Sequence, residues 1–239
     1  MKVRRTLLLL LLACAAAAAV FHERIGIAAG MVRNRLSKRT VAERLAEFGP
    51  VARERMRLDF EKAGIGYPPR SAILLVLKQE RRLELYTGHD RRFVRAWPIL
   101  AASGVPGPKL REGDRQVPEG IYRIESLNPN SSYHVSLRLN YPNDFDLAQA
   151  RKEGRANLGG DIMIHGNSVS VGCVAVGDLA AEEIFTLAAD VGLDAITVIC
   201  SPVDWRTNVL PATVKLPVWT NELYGELKTR LAQLSRPKQ

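Results

Sequence analysis

His165 and Cys173 have the residue types and the spacing that covalent chemistry would need. The apolar run Ile162 to Ile164 predicts a buried strand that ends at His165. A cysteine attacks as its thiolate, and an imidazole within hydrogen-bond reach can take the thiol proton and later return one to a leaving amine. The pair indicates thiol catalysis, although a histidine and a cysteine of the core would fit the same spacing about as well.

Glycines lie beside both side chains. The carbonyl oxygen of Gly166 could accept a hydrogen bond from one ring nitrogen of His165 and so orient the other. The backbone N–H groups of Gly172 and Cys173 could receive the oxyanion that forms when an amide carbonyl is attacked. We expect Cys173 to be the nucleophile and His165 the proton donor and acceptor. Gly166 would orient the imidazole, and Gly172 would donate to the oxyanion.

A metal centre is not expected at these residues. A zinc site needs about four nitrogen or sulfur ligands. His89 lies in a predicted turn and His134 in a predicted strand, so neither clusters in sequence with His165 and Cys173. We predict neither a metal nor another cofactor.

The N-terminus is typical of an exported protein. A basic start, Met1 to Arg5, precedes an apolar run of about fifteen residues, Leu7 to Phe21, which is short for a membrane span. We predict a signal peptide or membrane anchor at 1–21, with lipidation of Cys14 as a less favoured alternative. In each version the folded part leaves the cytoplasm for the periplasm or cell envelope, and only this segment would contact a membrane.

Composition limits the remaining function classes. The chain has 239 residues, 46% of them apolar, and a formal net charge of +9, which favours anionic surroundings. No aromatic residues interleave with the basic ones as a nucleic-acid platform requires, so no nucleic acid is expected. Cys200 ends an apolar run and is expected in the core, which leaves Cys173 as a reactive thiol. A Cys173–Cys200 disulfide is the structural alternative.

Hydrophobic periodicity predicts a mainly β (α+β) domain with one or two packed helices, preceded by a helical arm. The arm, at 22–66, is basic, and Gly49-Pro50 is expected to divide it into two helices. Strands are expected from Ala72 onward, beginning with a hairpin, and Asp178 is expected to cap a later helix. The predicted segments are the arm at 22–66, a catalytic domain at 67–202 and a C-terminal extension at 203–239 with an amphipathic helix.

The ordered motifs around His165 and Cys173 resemble those of the L,D-transpeptidase (YkuD-type) family. The signature is His165-Gly166, then Ser170 to Cys173, then Asp178. Further motifs recur upstream in the family's order: Lys78, Leu83 to Tyr86, Ser103-Gly104, Lys109, Gly113-Asp114, Pro118 to Gly120 and Tyr141 to Asn143. The resemblance covers roughly residues 67 to 202, and it implies an L,D-transpeptidase-like β-sandwich.

The resemblance also implies a peptidoglycan stem-peptide substrate and a thioester on Cys173, formed when the bond between diaminopimelate and terminal D-alanine is cleaved. Many family members carry a second histidine where this chain has Val171, and an arginine where it has Ala175. Both differences resemble the YafK-like branch, and the residues that hold the substrate carboxylate stay unassigned.

Three outcomes remain open for this site. An amine acceptor would make the protein a transpeptidase in cell-wall remodelling. Water would make it an amidase that releases wall-linked peptide or lipoprotein. Loss of activity would leave a wall-binding module.

Overall fold

The computed structural model describes residues 38–104, 106–211 and 213–235. The predicted export segment at 1–21, with Cys14, lies outside the described residues, as does the predicted arm before residue 38. Within the described ranges, no helix combines the length and the apolar character that a membrane crossing requires. The described residues from Thr40 onward belong to one compact unit. The predicted domain boundaries remain predictions.

The described chain contains a nine-stranded mixed sheet and four α-helices, which confirms the predicted mainly β, α+β class. The helices are α1 (Val41–Ala63), α2 (Asp144–Lys152), α3 (Asp178–Val191) and α4 (Thr220–Ala232). The strands are β1 (Ala72–Leu77), β2 (Arg82–Thr87), β3 (Arg92–Pro98), β4 (Ala101–Ala102), β5 (Gly120–Ser131), β6 (His134–Leu139), β7 (Met163–His165), β8 (Val174–Ala175) and β9 (Ile196–Ser201). Their order across the sheet is β3-β2-β1-β9-β5-β6-β7-β8-β4.

One long strand joins the two halves of this sheet. Residues Gly120 to Arg123 of β5 pair with β9, and the strand pairs with β6 from Ile124 onward. The register shifts between Ile124 and Ser126, as at a β-bulge, and a bulge bends a strand and increases its twist. The half that contains β6, β7 and β8 carries His165 and Cys173.

The predicted hairpin is present, because β1 and β2 pair antiparallel with Leu77 opposite Arg82. Successive residues of β1 point to opposite faces of the sheet. Leu74 and Val76 belong to the core cluster that includes side chains of α1 and α3, whereas Leu75 and Leu77 belong to a second cluster with α4. Both faces of β1 are buried, which explains its continuous apolar sequence.

The prediction that Gly49-Pro50 divides the arm is wrong, because α1 runs unbroken through Pro50. Proline disfavours a helical residue before it through a clash with that residue's Cβ, and Gly49 has none. A capping box at Thr40 and Glu43 satisfies backbone N–H groups of the first turn. Arg53 of α1 makes two hydrogen bonds of 2.7 Å to the Asp190 carboxylate of α3.

The C-terminal helix α4 covers the opposite face of the sheet. Its Leu223, Leu227 and Leu231 are buried against Leu75 and Ile199. The Tyr224 hydroxyl donates to Glu119 at 2.6 Å, and the other oxygen of that carboxylate accepts from Lys78 at 2.7 Å. The predicted amphipathic helix is therefore packed on the sheet and hydrogen-bonded to the end of the loop that precedes β5.

The disulfide alternative is wrong, since Cys173 and Cys200 are both free. Cys200 lies in β9 between β1 and β5, whereas Cys173 precedes β8 in the other half of the sheet. Complete burial raises the pKa of the Cys200 thiol to about 12, as expected of the core residue that the sequence predicts.

Candidate active site

His165 ends the strand β7, and Cys173 directly precedes β8, the parallel neighbour of β7. In the β7–β8 pair, Ile164 lies opposite Val174 and His165 opposite Ala175. Because side chains alternate along a strand, the fully buried Ile164 and Val174 share one face and His165 lies on the other. Cys173 precedes β8 by one residue, and continuing the alternation back to it assigns it to the side of His165. The small Ala175 side chain lies beside the imidazole.

The imidazole of His165 is buried and fixed by the glycine that follows it. Its Nδ1 lies 2.6 Å from the carbonyl oxygen of Gly166, and His165 is 2% exposed. A carbonyl oxygen only accepts, so Nδ1 carries the proton and Nε2 has a free lone pair. Burial lowers the pKa of His165 below its ordinary value, and the Gly166 carbonyl opposes this shift. A neutral imidazole in this tautomer can accept a proton only at Nε2.

The site has no room for a side chain at position 166. A Cβ built on Gly166 would lie 2.5 Å from Asp178 Oδ1 and 2.8 Å from the carbonyl oxygen of Tyr133. The helix α3 begins at Asp178 with Gly177 at its N-cap, and no side chain caps it. The prediction that Asp178 is the N-cap is therefore wrong. Its carboxylate instead accepts from the Asn167 N–H at 2.7 Å.

The half-buried Cys173 is held as a thiol. Its Sγ lies 3.5 Å from the carbonyl oxygen of Asp161, which favours the protonated sulfur. Burial raises the pKa of Cys173, a backbone hydrogen bond from Met163 lowers it, Asp161 raises it, and Lys109 lowers it. At neutral pH the Cys173 thiol and the His165 imidazole are therefore both uncharged.

Two hydroxyl groups bind the backbone around the cysteine. The Ser170 hydroxyl accepts from the Cys173 N–H at 3.0 Å and donates to the Cys173 carbonyl at 2.6 Å. The Gly172 N–H donates to Ser103 Oγ at 2.6 Å, and this hydroxyl donates to the carbonyl of Arg115 at 2.7 Å. The proposed oxyanion donors are thus engaged by serines, and their role stays a prediction.

A loop between β4 and β5 forms one wall near the cysteine. Lys109 is 8% exposed, and its ammonium donates to Asp114 at 2.7 Å and to the Arg111 carbonyl at 2.9 Å. Asp114 also accepts three backbone N–H groups of this loop, and these contacts together with Lys109 hold its pKa below the ordinary value against the effect of burial. The Gln116 carbonyl lies 3.6 Å from the position of a Cβ on Gly172.

Sequence reasoning missed Tyr133 at this site. Its ring stacks on His165 with centroids 4.7 Å apart and an interplanar angle of 29°. No motif marks Tyr133, because the contact depends on the turn between β5 and β6. The residues at the two departures from the family pattern differ in environment, since Val171 is 73% exposed and Ala175 is fully buried. Among the described residues, no group of three His, Cys, Asp or Glu side chains could hold a metal ion.

Residues 71–203 match the family model of the YkuD L,D-transpeptidase catalytic domain. The chain is 37% identical over 114 residues to the "Putative L,D-transpeptidase YafK" of Escherichia coli K12, and this alignment covers 46% of the chain and 44% of that protein. The chain thus matches less than half the length of that relative.

Among solved structures, the helical cell shape determining protein Pgp2 of Campylobacter jejuni aligns with a TM-score of 0.45 and 18% identity, covering 77% of this chain and 79% of that one. L,D-transpeptidase 1 of Mycobacterium tuberculosis aligns with a TM-score of 0.33 and 15% identity, covering 54% of this chain and 61% of that one.

Proposed function

The chain belongs to the YkuD family of L,D-transpeptidase catalytic domains, and on this basis we propose that it is an exported, cysteine-dependent peptidoglycan L,D-transpeptidase. Its substrate would be a stem peptide, cleaved between diaminopimelate and the terminal D-alanine. The observation that carries the proposal is the neutral imidazole of His165, oriented by Gly166 at the end of β7, which pairs with the strand that directly follows Cys173.

The first half of the reaction is acylation. Sγ of Cys173 attacks the amide carbonyl while its proton passes to Nε2 of His165, and the carbonyl oxygen becomes an oxyanion. The C–N bond then breaks, the leaving amine takes the proton from Nε2, and D-alanine departs. The product is a thioester between Cys173 and the diaminopimelate carbonyl.

The second half transfers the acyl group. An amine acceptor loses a proton to Nε2 and attacks the thioester, and the thiol is reformed when the C–S bond breaks. Water in place of the amine gives hydrolysis, so the same residues would release a wall-linked peptide or lipoprotein. The acceptor alone separates these two activities.

The Gly172 N–H would stabilise the oxyanion after the Ser103 hydroxyl moves away or after the oxyanion replaces it. Removing one such donor in a serine protease lowers the rate by about 10² to 10³. The contribution expected from Gly172 is of this order.

Cell-wall material is the partner class, with a wall-linked lipoprotein as a further candidate. The protein would work in the periplasm or cell envelope, and the segment 1–21 would supply export or anchoring. The overall basic charge of the chain suits an anionic wall polymer.

The raised pKa of Cys173 favours a second candidate, an inactive wall-binding module. A thiol of this kind reacts slowly with alkylating reagents at neutral pH. Slow alkylation is equally compatible with catalysis in which Nε2 removes the proton during attack. Formation of an acyl-enzyme is therefore the measurement that separates the two candidates.

The test incubates the purified protein with a disaccharide tetrapeptide and measures the intact mass of the protein. We expect the wild type to gain the mass of the disaccharide-tripeptide acyl group while D-alanine is released, and Cys173→Ala to gain nothing. Cys200→Ala is the matched control, because it removes a free cysteine of the core and should still acylate. A wild-type protein without acylation, or an acylated Cys173→Ala variant, would refute the proposal.

Purified cell wall as substrate identifies the acceptor. New crosslinks would assign transpeptidation, and released tripeptide or lipoprotein would assign hydrolysis. Both products should disappear in Cys173→Ala.

A further inference from the structure

We propose that Tyr133 is a positioning residue for His165, and that helix α1 holds it in place through the β5–β6 hairpin. The inference rests on the proposed catalytic role of His165. It adds a residue outside the signature motif to the site and gives the helix before the family domain a part in catalysis.

The rings of Tyr133 and His165 are in close contact, and only the tyrosine is exposed to solvent. The rings are stacked at 4.7 Å and 29°, and Tyr133 is 41% exposed while His165 is 2% exposed. Tyr133 is therefore a cover that lies between the imidazole face and solvent. Such a cover keeps water off the imidazole and restricts rotation of its ring, so Nε2 stays directed toward one position.

The backbone of the β5–β6 hairpin also contacts the chain at the end of β7. Ser131 pairs with His134, which leaves Ser132 and Tyr133 as a two-residue loop. The Tyr133 N–H donates to Ser131 Oγ at 3.1 Å. The carbonyl oxygen of Tyr133 packs against Gly166, where a Cβ would clash with it. Both the ring and the main chain of Tyr133 thus contact the His165-Gly166 pair.

The residue after Tyr133 ties this loop to two helices. His134 has a positive φ of 73°, which directs the chain back into β6. Its Nε2 donates to Glu182 of α3 at 3.0 Å, and the second oxygen of Glu182 accepts from Arg55 of α1 at 2.8 Å. The His134–Glu182 pair is mostly buried, with side-chain exposures of 23% and 14%.

Helix α1 contacts the same hairpin at two more points. The buried Arg44 donates through Nε to the Pro129 carbonyl at 2.9 Å. The ring of Phe48 lies 6.0 Å from that of His134. These contacts connect α1 with the hairpin, and the hairpin connects with the proposed base.

The first experiment compares Tyr133→Ala with Tyr133→Phe and Ser132→Ala. Tyr133→Phe keeps the stacked ring, and Ser132→Ala alters the exposed neighbour in the same loop. We expect Tyr133→Ala to lower the acylation rate about 10- to 100-fold, as misplaced catalytic groups do, and both controls to stay within about twofold of wild type.

The second readout is the titration of the His165 imidazole by NMR, assigned with His165→Gln in a Cys173→Ala background. Removing the ring of Tyr133 admits water, so the pKa of His165 should rise toward its ordinary value in Tyr133→Ala and stay unchanged in Tyr133→Phe. A merely structural role would lower thermal stability without moving this pKa. Wild-type rate and titration in Tyr133→Ala would overturn the proposal.

The role of α1 is tested with Arg44→Gln against Arg57→Gln. Arg57 lies on the same helix, and Glu54 and Glu61, to which it donates hydrogen bonds, also belong to α1. We expect Arg44→Gln to slow acylation and shift the His165 titration in the direction seen for Tyr133→Ala, and Arg57→Gln to do neither. A fall in melting temperature without these two changes would overturn the part assigned to α1.

The NMR titration separates this proposal from the proposed function. A titration shift in Tyr133→Ala together with no wild-type acylation would refute the catalytic function and leave the ring contact established. An active wild type whose His165 is indifferent to Tyr133 would refute the positioning role alone.

Discussion

The Asp178 carboxylate accepts the N–H of Asn167 at 2.7 Å, so the first residue of α3 fastens the loop that follows His165. The Gly177 N–H donates to the Asn167 carbonyl at 3.0 Å, which closes the same connection from the other side. The backbone after His165 is therefore held at both polar groups of Asn167. This arrangement gives the aspartate at position 178, downstream of Cys173 in the sequence, a structural role.

Replacing Asp178 should loosen the His165 loop. We expect Asp178→Ala to destabilise the protein by about 1 kcal/mol, given one hydrogen bond to a carboxylate on a solvent-exposed residue, and to lower the acylation rate about 10-fold. Asp178→Asn should retain most of both, because its amide oxygen can still accept. Urea unfolding and acylation kinetics measure the two effects. Asp144→Ala is the matched control, because Asp144 is also an exposed acidic residue at the start of a helix.

Gly166 should not tolerate a methyl group. The added Cβ of Gly166→Ala would meet Asp178 and the Tyr133 carbonyl at 2.5 and 2.8 Å. We expect a loss of about 2–3 kcal/mol from overpacking, together with loss of acylation. Gly225→Ala in α4 is the control, because a Cβ there meets nothing within 4 Å, and it should stabilise the helix by about 0.5–1 kcal/mol. Equal stabilities of the two variants would contradict the described packing.

Acylation should persist into mildly acidic solution. Burial lowers the pKa of His165 below 6.5, and only the neutral imidazole can accept the thiol proton. The acid limb of the acylation rate should therefore fall below pH 6.5. Single-turnover kinetics with the tetrapeptide measure it, and an acid limb above pH 6.5 would contradict the burial of His165.

The ionisation of His165 should also make the free energy of unfolding depend on pH. The unfolded chain takes up a proton at His165 near pH 6.5, whereas the folded chain does so only at lower pH. Between these two pKa values the unfolded state binds more protons, so this group makes the free energy of unfolding decrease as pH falls. We expect wild type to lose stability relative to His165→Gln below pH 6.5. The difference should be constant above about pH 7.5, where both states are neutral.

Ser103 offers a test of the proposed oxyanion donor. Its hydroxyl occupies the Gly172 N–H, so Ser103→Ala leaves that donor free for substrate. We expect Ser103→Ala to acylate at least as fast as wild type, at a cost of about 1 kcal/mol in stability. Ser168→Ala controls for the loss of an exposed loop hydroxyl. A fall in the acylation rate of about 100-fold in Ser103→Ala alone would assign the hydroxyl itself to catalysis. It would also contradict the role proposed for the Gly172 N–H as the oxyanion donor.

The sequence predicted the parts of the site that are close together in the chain. The apolar run before His165 marks a strand, and Gly166 marks a close backbone approach, whereas Gly172 adopts a positive φ of 95°. The β1–β2 hairpin was equally readable, because its register follows from a short turn.

The remaining contacts depend on residues far apart in sequence. Ser103 and Gly172 are 69 positions apart, and the site of Tyr133 depends on a register shift in β5 that no local pattern shows. The continuity of α1 through Pro50 also depends on more than local propensity. Proline propensity predicts a break, whereas Gly49 relieves the clash and packing on α3 keeps the helix continuous.

The two-sided burial of β1 has a practical consequence for protein production. The segment matched to the family, residues 71–203, contains β1 and β9 but neither α1 nor α4. A recombinant fragment limited to it would expose Leu75, Leu77 and Ile199, which α4 otherwise covers. Contiguous apolar surface of this kind promotes self-association, so the fragment should aggregate more readily than the longer chain.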